Sequence, residues 1–258
     1  MSNAVLAETR GHVTVITLNR PEVHNAVDPD VANGLREALE RFREDPEARV
    51  AVLTGAGDKA FTSGADLKRM AARSKEDYLL EWFRTYRDRL PEVWKPVIGA
   101  VNGLCYAEGM NLLVGLTDLR VASDTARFCY AEVLRGHSGA GEAIEWLPRQ
   151  VPYAIAMEWL LRGKVFGADE ALQYGLVNEV VTIDRVKPRA LEIAAQIAEL
   201  APLAVRALKE SAVRGLSMDL PNAVRLAYTL GVLNRFTEDA AEGPRAFRDK
   251  RPPVYKGK

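Results

Sequence analysis

An α/β fold built on parallel strands is what this sequence predicts, and three observations carry that expectation. Apolar, β-branched runs alternate with amphipathic helical stretches over the first two-thirds of the chain. Two of those runs, Val50-Ala51-Val52-Leu53-Thr54-Gly55 and Pro96-Val97-Ile98-Gly99-Ala100-Val101, are apolar almost throughout, as buried strands are. Near residue 200 the strands stop and helices alone continue, which marks a subdomain boundary.

Taken in order, residues 13–18 (VTVITL) are rich in β-branched side chains and read as a strand. Residues 19–26 form a polar loop. Asp28 followed by Pro29 supplies an N-cap and a first helical residue, and Val31, Leu35, Leu39 and Phe42 share one face of the helix up to Asp45-Pro46. The strand at 50–55 leads to Lys59-Ala60-Phe61-Thr62-Ser63-Gly64-Ala65-Asp66-Leu67, a loop of small residues, and then to helix formers at 68–73. A helix is expected over 75–90, strands over 96–101 and 118–122, and an apolar segment over 128–133. Short helices follow at 141–147, 153–161 and 168–174, with Gly175 as a C-cap, and the last strand at 176–181. Helices at 188–200, 202–214, 219–235 and 237–248 precede a basic tail.

Composition removes several classes of function. The chain has 258 residues, 48% of them hydrophobic, and 35 Lys+Arg balance 35 Asp+Glu. That balance gives no reason to expect nucleic acid or an anionic membrane as partner. Cys105 and Cys129 are too few for a disulfide scaffold, and no Cys/His spacing suggests a metal site. The histidines, His12, His24 and His137, lie near no Gly-x-Ser-x-Gly elbow. The first residues lack a basic head and a long apolar run, so the sequence predicts a cytoplasmic location.

Chemistry concentrates in three stretches. The loop around Gly64-Ala65-Asp66 sits between a buried strand and a helix, where backbone N–H groups can meet an anionic oxygen; an ordinary strand-to-helix turn has the same spacing. The second stretch, 101–113, opens into a helix without charge from Met110 to Thr117, so that helix is buried with its positive end above the strand. Third, Glu132 is a lone carboxylate in an apolar segment. It is either paired, with Arg135 three residues on, or kept for proton chemistry.

Together these stretches resemble the crotonase (enoyl-CoA hydratase/isomerase) family over essentially the whole chain. The carriers are Leu18-Asn19-Arg20-Pro21 with Asn25-Ala26, Ala60-Phe61 with Gly64-Ala65-Asp66-Leu67, Ala100-Val101-Asn102-Gly103 and Asp118-Leu119-Arg120-Val121-Ala122. Gly175-Leu176-Val177-Asn178-Glu179-Val180-Val181 and Glu242-Gly243-Pro244-Arg245-Ala246-Phe247 with Lys250-Arg251 complete the series. The resemblance implies a spiral of ββα turns over 1–195 and a C-terminal helical region, 196–258, that packs trimers, often paired into hexamers. It implies an acyl-CoA thioester as substrate, with coenzyme A part of the substrate and no permanently bound cofactor. Backbone N–H groups at Ala65 and position 108 would hold the thioester oxygen. Val23, His24 and Ala26 would form the coenzyme A loop, Ala65, Asp66 and Leu67 would flank the adenine, and Phe247 and Lys250 would reach a neighbouring subunit's coenzyme A.

The sequence departs from that pattern where the chemistry lies. Of the two glutamates that the hydratase branch uses to hold and split water, the second maps onto Glu132 and the first onto Asn111, which neither takes up nor releases a proton. Ala107-Glu108-Gly109 replaces three glycines, which puts a carboxylate at an oxyanion-hole position. The chain is also one residue longer between Asn111 and Asp118, so the register of Glu108 and Asn111 is open by one. His137 and Glu142 lie in an altered loop after Glu132. Three functions are consistent with these residues. Resemblance of the C-terminal segment favours a hydratase, with Glu132 giving the α-proton and Glu108 or Asn111 positioning the water. The single mapped carboxylate favours a 3,2-enoyl-CoA isomerase running on Glu132 alone. A non-catalytic coenzyme A-ester-binding protein is the third.

Overall fold

The computed structural model describes residues 3–67, 76, 90–139 and 141–258. The helical stretch expected at 68–73 lies outside the described residues, as does nearly all of the helix expected over 75–90. Two sheets organise the rest. The larger has strand order β1 (Val5–Arg10), β2 (Val13–Leu18), β3 (Val50–Gly55), β5 (Val97–Val101), β7 (Leu119–Ser123) and β10 (Glu179–Val181). The smaller is β4 (Ala60–Thr62), β6 (Leu104–Tyr106), β8 (Arg127–Cys129) and β9 (Phe166–Gly167). Among the described residues only the edge pairs β1–β2 and β8–β9 are antiparallel. Each passage of the chain leaves a strand in the large sheet, then one in the small sheet: β3 then β4, β5 then β6, β7 then β8. That repetition is the spiral of ββα turns, and it brings the ends of β4, β6 and β8 side by side.

Helices cover the sheets as their apolar faces require. In α1 (Pro29–Glu44), Asp28 accepts from the Val31 N–H as N-cap, and Val31, Leu35, Ala38, Leu39 and Phe42 are buried. Each large apolar side chain so removed from water contributes about 1.5–3 kcal/mol. On the outer face of the large sheet, α6 (Ile183–Ala198) lays Val186, Ala190, Ala194 and Ala198 against Val50, Val52, Ile98, Ala100 and Val121. The main core joins both sheets to the helices, with Leu53, Phe61, Val101, Met110, Phe128 and Trp159 among its members. Among the described residues the remaining helices are α2 (Glu108–Leu116), α3 (Glu142–Gln150), α4 (Tyr153–Arg162), α5 (Ala168–Gln173), α7 (Pro202–Gly215), α8 (Leu220–Asn234) and α9 (Glu238–Arg248).

Several elements differ from expectation for identifiable reasons. β1 carries no alternating apolar pattern because it is an exposed edge strand, joined to β2 through a two-residue turn with Gly11 at φ +57. β4 and β6 are strands of three residues where loops were expected. α6 starts at Ile183 rather than Pro188; the proline sits in the second turn, where it removes a single hydrogen bond. The apolar segment after Phe128 ends as a 3₁₀ turn, Glu132–Arg135, capped by Gly136 in the left-handed region.

Most of the motif residues hold this frame rather than the site. Asn25 accepts from the Arg20 N–H and donates to the carbonyls of Ala56 and Ala60. Asn102 accepts from the Gly55 N–H and donates to Gly55 and Gly57. The buried Arg120 guanidinium donates to Thr117 and to the Leu176 carbonyl, while Asn178 exchanges hydrogen bonds with the Arg120 backbone. Glu242 binds Arg251, and Asp239 accepts from the Lys256 and Gly257 N–H groups, which fastens the tail to α9. Among the described residues no helix is long and apolar enough to cross a membrane.

Candidate active site

The small sheet places the site. β4 runs out into Ser63-Gly64-Ala65, where Val27 donates to the Gly64 carbonyl and accepts from the Asp66 N–H. A residue bridged in this parallel manner turns its own N–H away from its partner. The Ala65 N–H is therefore directed away from Val27, and no described residue accepts from it. β6 runs out into Ala107, and α2 opens at Glu108, whose N–H is one of the unpaired donors of a helix start. The two ends touch: a Cβ on Gly64 would lie 2.7 Å from the Ala107 Cβ and 3.5 Å from the Glu108 nitrogen. Two unclaimed N–H groups on adjoining chain segments, one at a helix N-terminus, are what a developing oxyanion requires.

Ala107 adopts φ +52, ψ −114, a region that favours glycine. Such strain costs on the order of 1–3 kcal/mol and is found where surrounding structure imposes it. Ala107→Gly is expected to raise stability by about 1 kcal/mol, or roughly 2–4 °C in melting temperature, after the extra freedom of glycine in the unfolded chain is subtracted. A thermal melt that shows a fall instead would mean that the Ala107 methyl packs more usefully than its backbone is strained.

Beyond β8, Glu132 stands at the start of its 3₁₀ turn and is 7% exposed. Its Oε2 is buried without a hydrogen-bond partner, and Arg135 does not pair with it. Of the two readings open to this residue, the ion pair is therefore absent. Gly139 at φ +73 presses on it; a Cβ there would come within 2.7 Å of the Glu132 Cγ and 2.5 Å of the Tyr130 hydroxyl, which donates to the Ser138 carbonyl. Burial raises the Glu132 carboxyl above its usual range, against a bond to its own backbone N–H.

Glu108 and Asn111 lie one turn apart on α2. The Asn111 Nδ2 donates to the Glu108 Oε2 at 2.9 Å, and the Asn111 Oδ1 accepts from the Ala143 N–H at 3.0 Å. Burial pushes the Glu108 carboxyl up to about 7; the Asn111 hydrogen bond opposes the rise, and the charges of Glu142 and Glu132 add to it. A carboxyl whose folded value exceeds its unfolded 4.5 favours folding fully below that value, and the favour is lost as pH rises through about 7. The melting temperature is thus expected to fall more steeply between about pH 5 and about pH 8 in this protein than in Glu108→Gln. Equal slopes would remove Glu108 as the group responsible.

The other expected residues divide in two. The loop of Val23, His24 and Ala26 packs beside Ala65, Asp66 and Leu67: the Ser63 N–H donates to His24, and Arg20 ties the Ala26 carbonyl to Asp66 and Asp28. Val23, His24 and Leu67 are exposed there. Phe247 (88% exposed) and Lys250 lie at the end of α9, and no described hydrogen bond or ion pair joins them to the Glu132 cluster. His137 is an exposed loop residue whose Nδ1 accepts from the Gly139 N–H. Glu142 opens α3 with its side chain over Gly115. Sequence reading missed Tyr130 and Gly139, which pack within the loop around Glu132, and Gly141 and the Ala143 N–H, which meet Asn111 from about thirty residues along the chain. Among the described residues no group of His, Cys, Asp and Glu is arranged to hold a metal ion.

The family profile described as Enoyl-CoA hydratase/isomerase matches residues 8–258. The chain is 41% identical over 256 residues to an (E)-benzylidenesuccinyl-CoA hydratase of Thauera aromatica, covering 98% of this chain and 99% of that protein. It is 37% identical over 265 residues to a carnitinyl-CoA dehydratase of Proteus mirabilis, covering all of both. Among solved structures, an enoyl-CoA hydratase of Bacillus anthracis superposes with a TM-score of 0.93 at 32% identity, over 99% of this chain and 100% of that one. An enoyl-CoA hydratase of Mycobacterium tuberculosis H37Rv does so with a TM-score of 0.92 at 32% identity, over 100% of both chains. With matches of this extent, and with the alternating two-sheet spiral they share, the chain belongs to the crotonase family of enoyl-CoA hydratase/isomerase enzymes.

Proposed function

We propose that this protein moves water across the carbon–carbon double bond of an enoyl-CoA thioester. The observation that carries the reading is Glu132: a buried carboxyl oxygen without a hydrogen-bond partner, on a loop that also packs against Asn111 and so against the Glu108 end of α2. Keeping such a group unpaired costs stability, and a chain that only bound coenzyme A esters has no use for it. The N–H groups of Ala65 and Glu108 hold the thioester oxygen as it gains charge, and Glu132 exchanges the proton at the adjacent carbon. A hydratase and a dehydratase of coenzyme A esters among the relatives favour hydration chemistry.

Val23, His24 and Ala26 line the coenzyme A approach together with Ala65, Asp66 and Leu67. Exposed apolar residues in the C-terminal helical region, Leu208, Leu220, Tyr228 and Phe236 among them, support a homotrimer or hexamer built through residues 196–258. In that assembly Phe247 and Lys250 reach a neighbour's coenzyme A. Coenzyme A arrives and leaves with the substrate.

A 3,2-enoyl-CoA isomerase is the second reading, favoured by Asn111 at the position where the family resemblance expects a glutamate. Incubation with 2-butenoyl-CoA and, separately, 3-butenoyl-CoA separates the two through the absorbance of the conjugated thioester. Loss of signal from the 2-enoyl ester is expected. A gain from the 3-enoyl ester with no loss from the 2-enoyl ester would replace hydration by isomerisation.

A further inference from the structure

We propose that the second catalytic carboxylate of this enzyme is Glu108, one helical turn before the position occupied by Asn111, and that Asn111 is the positioning residue that holds it. The inference rests on the hydration reading above. Positions 108 and 111 are i and i+3 on α2, so their side chains leave the helix on one face. Asn111 is buried and oriented from both ends. Its Oδ1 is fixed by the Ala143 N–H, which leaves Nδ2 to face the Glu108 Oε2. Gly141 encloses that amide, since a Cβ there would lie 2.5 Å from Nδ2. Gly139, two residues earlier, encloses Glu132 in the same way. One short loop therefore packs against both arms of the site; the charge of Glu132 raises the Glu108 carboxyl, and the charges of both carboxyls raise the Tyr130 hydroxyl.

Only one oxygen of Glu108 is engaged by Asn111, and the other accepts from no described residue. In hydration that oxygen receives a proton from water while the water oxygen bonds to the β-carbon. The π pair moves onto the thioester oxygen, held by the Ala65 and Glu108 N–H groups. As the enolate collapses, the Glu132 carboxylic acid gives its proton to the α-carbon. Glu108 ends protonated and Glu132 ionised, and proton exchange through solvent resets the pair. Glu108 thus serves twice, by its backbone to the oxyanion and by its side chain to the water.

Glu108→Gln keeps the backbone N–H and removes the base. Hydration of 2-butenoyl-CoA is expected to fall about 10²–10⁴-fold. Exchange of the α-hydrogens of butanoyl-CoA in D₂O, read by mass spectrometry, should persist, because it needs only Glu132 and the two N–H groups. The double variant Glu108→Gly with Asn111→Glu, which returns the carboxylate to position 111, should recover part of the hydration that Glu108→Gly alone loses. Asn111→Ala removes the hydrogen bond that favours ionised Glu108, so the acidic limb of the kcat profile should move to higher pH; an unmoved limb would deny Asn111 its positioning role. Wild-type hydration rates in Glu108→Gln would overturn the assignment and leave the hydration reading standing. Failure of the unaltered protein to hydrate 2-butenoyl-CoA or 3-phenylpropenoyl-CoA would overturn both.

Discussion

Replacing Glu132 with Gln is expected to lower turnover of an enoyl-CoA by about 10²–10⁴-fold while affinity for a saturated acyl-CoA changes little. Glutamine matches glutamate in shape, so the packing against Gly139 survives. The amide cannot give up or regain a proton on the timescale of turnover. Its effect on folding should be small, because burial already favours the neutral form of Glu132 and its Oε2 has no partner to lose. Hydration followed by absorbance gives the rate, and calorimetric titration with butanoyl-CoA gives the affinity. A variant with the wild-type rate would remove Glu132 as the proton carrier. A variant that lost affinity and rate in equal measure would make it a binding residue instead. Alpha-hydrogen exchange should vanish in Glu132→Gln and persist in Glu108→Gln, so the two carboxylates are separated by reaction as well as by position.

Legibility of this protein in its sequence follows from the range of the interactions concerned. β3 and β5 are readable because a strand buried on both faces must be apolar throughout, and α1 because its cap and its face lie within one short stretch. β1 is unreadable for the opposite reason: an exposed edge strand is held by backbone bonds to β2 and imposes almost nothing on side chains. β4 and β6 are set by register in a second sheet, which three residues cannot announce. Within the site, Glu132 stands out as a lone charge in apolar surroundings. Glu108 is visible as an anomaly where the family resemblance expects a glycine, but its meaning is not. That meaning depends on the Ala143 N–H, thirty-two residues from Asn111, which decides the direction of an amide. Likewise the strain at Ala107 comes from the meeting of β4 with β6, a contact between segments more than forty residues apart.

That meeting also makes Gly64→Ala the most damaging small substitution expected near the site. Gly64 has φ +96, and a Cβ there would fall 2.7 Å from the Ala107 Cβ and 2.9 Å from the Tyr106 carbonyl oxygen. Neither neighbour is the free end of a long side chain, so the two chain segments must separate. Their separation displaces the Ala65 N–H from the Glu108 N–H, and loss of one such donor costs about 2.7–4 kcal/mol in the transition state, or 10²–10³-fold in kcat. Backbone strain alone is controlled by Gly11→Ala. Gly11 has φ +57 but nothing within 4 Å of the new methyl, and it lies in the β1–β2 turn, remote from the site. Both variants should lose roughly 1–3 kcal/mol of stability through the positive φ. Only Gly64→Ala should lose kcat. If a folded Gly64→Ala enzyme turned over at the wild-type rate, the thioester oxygen would not lie between Ala65 and Glu108. If both variants lost kcat alike, general destabilisation rather than donor geometry would explain the effect.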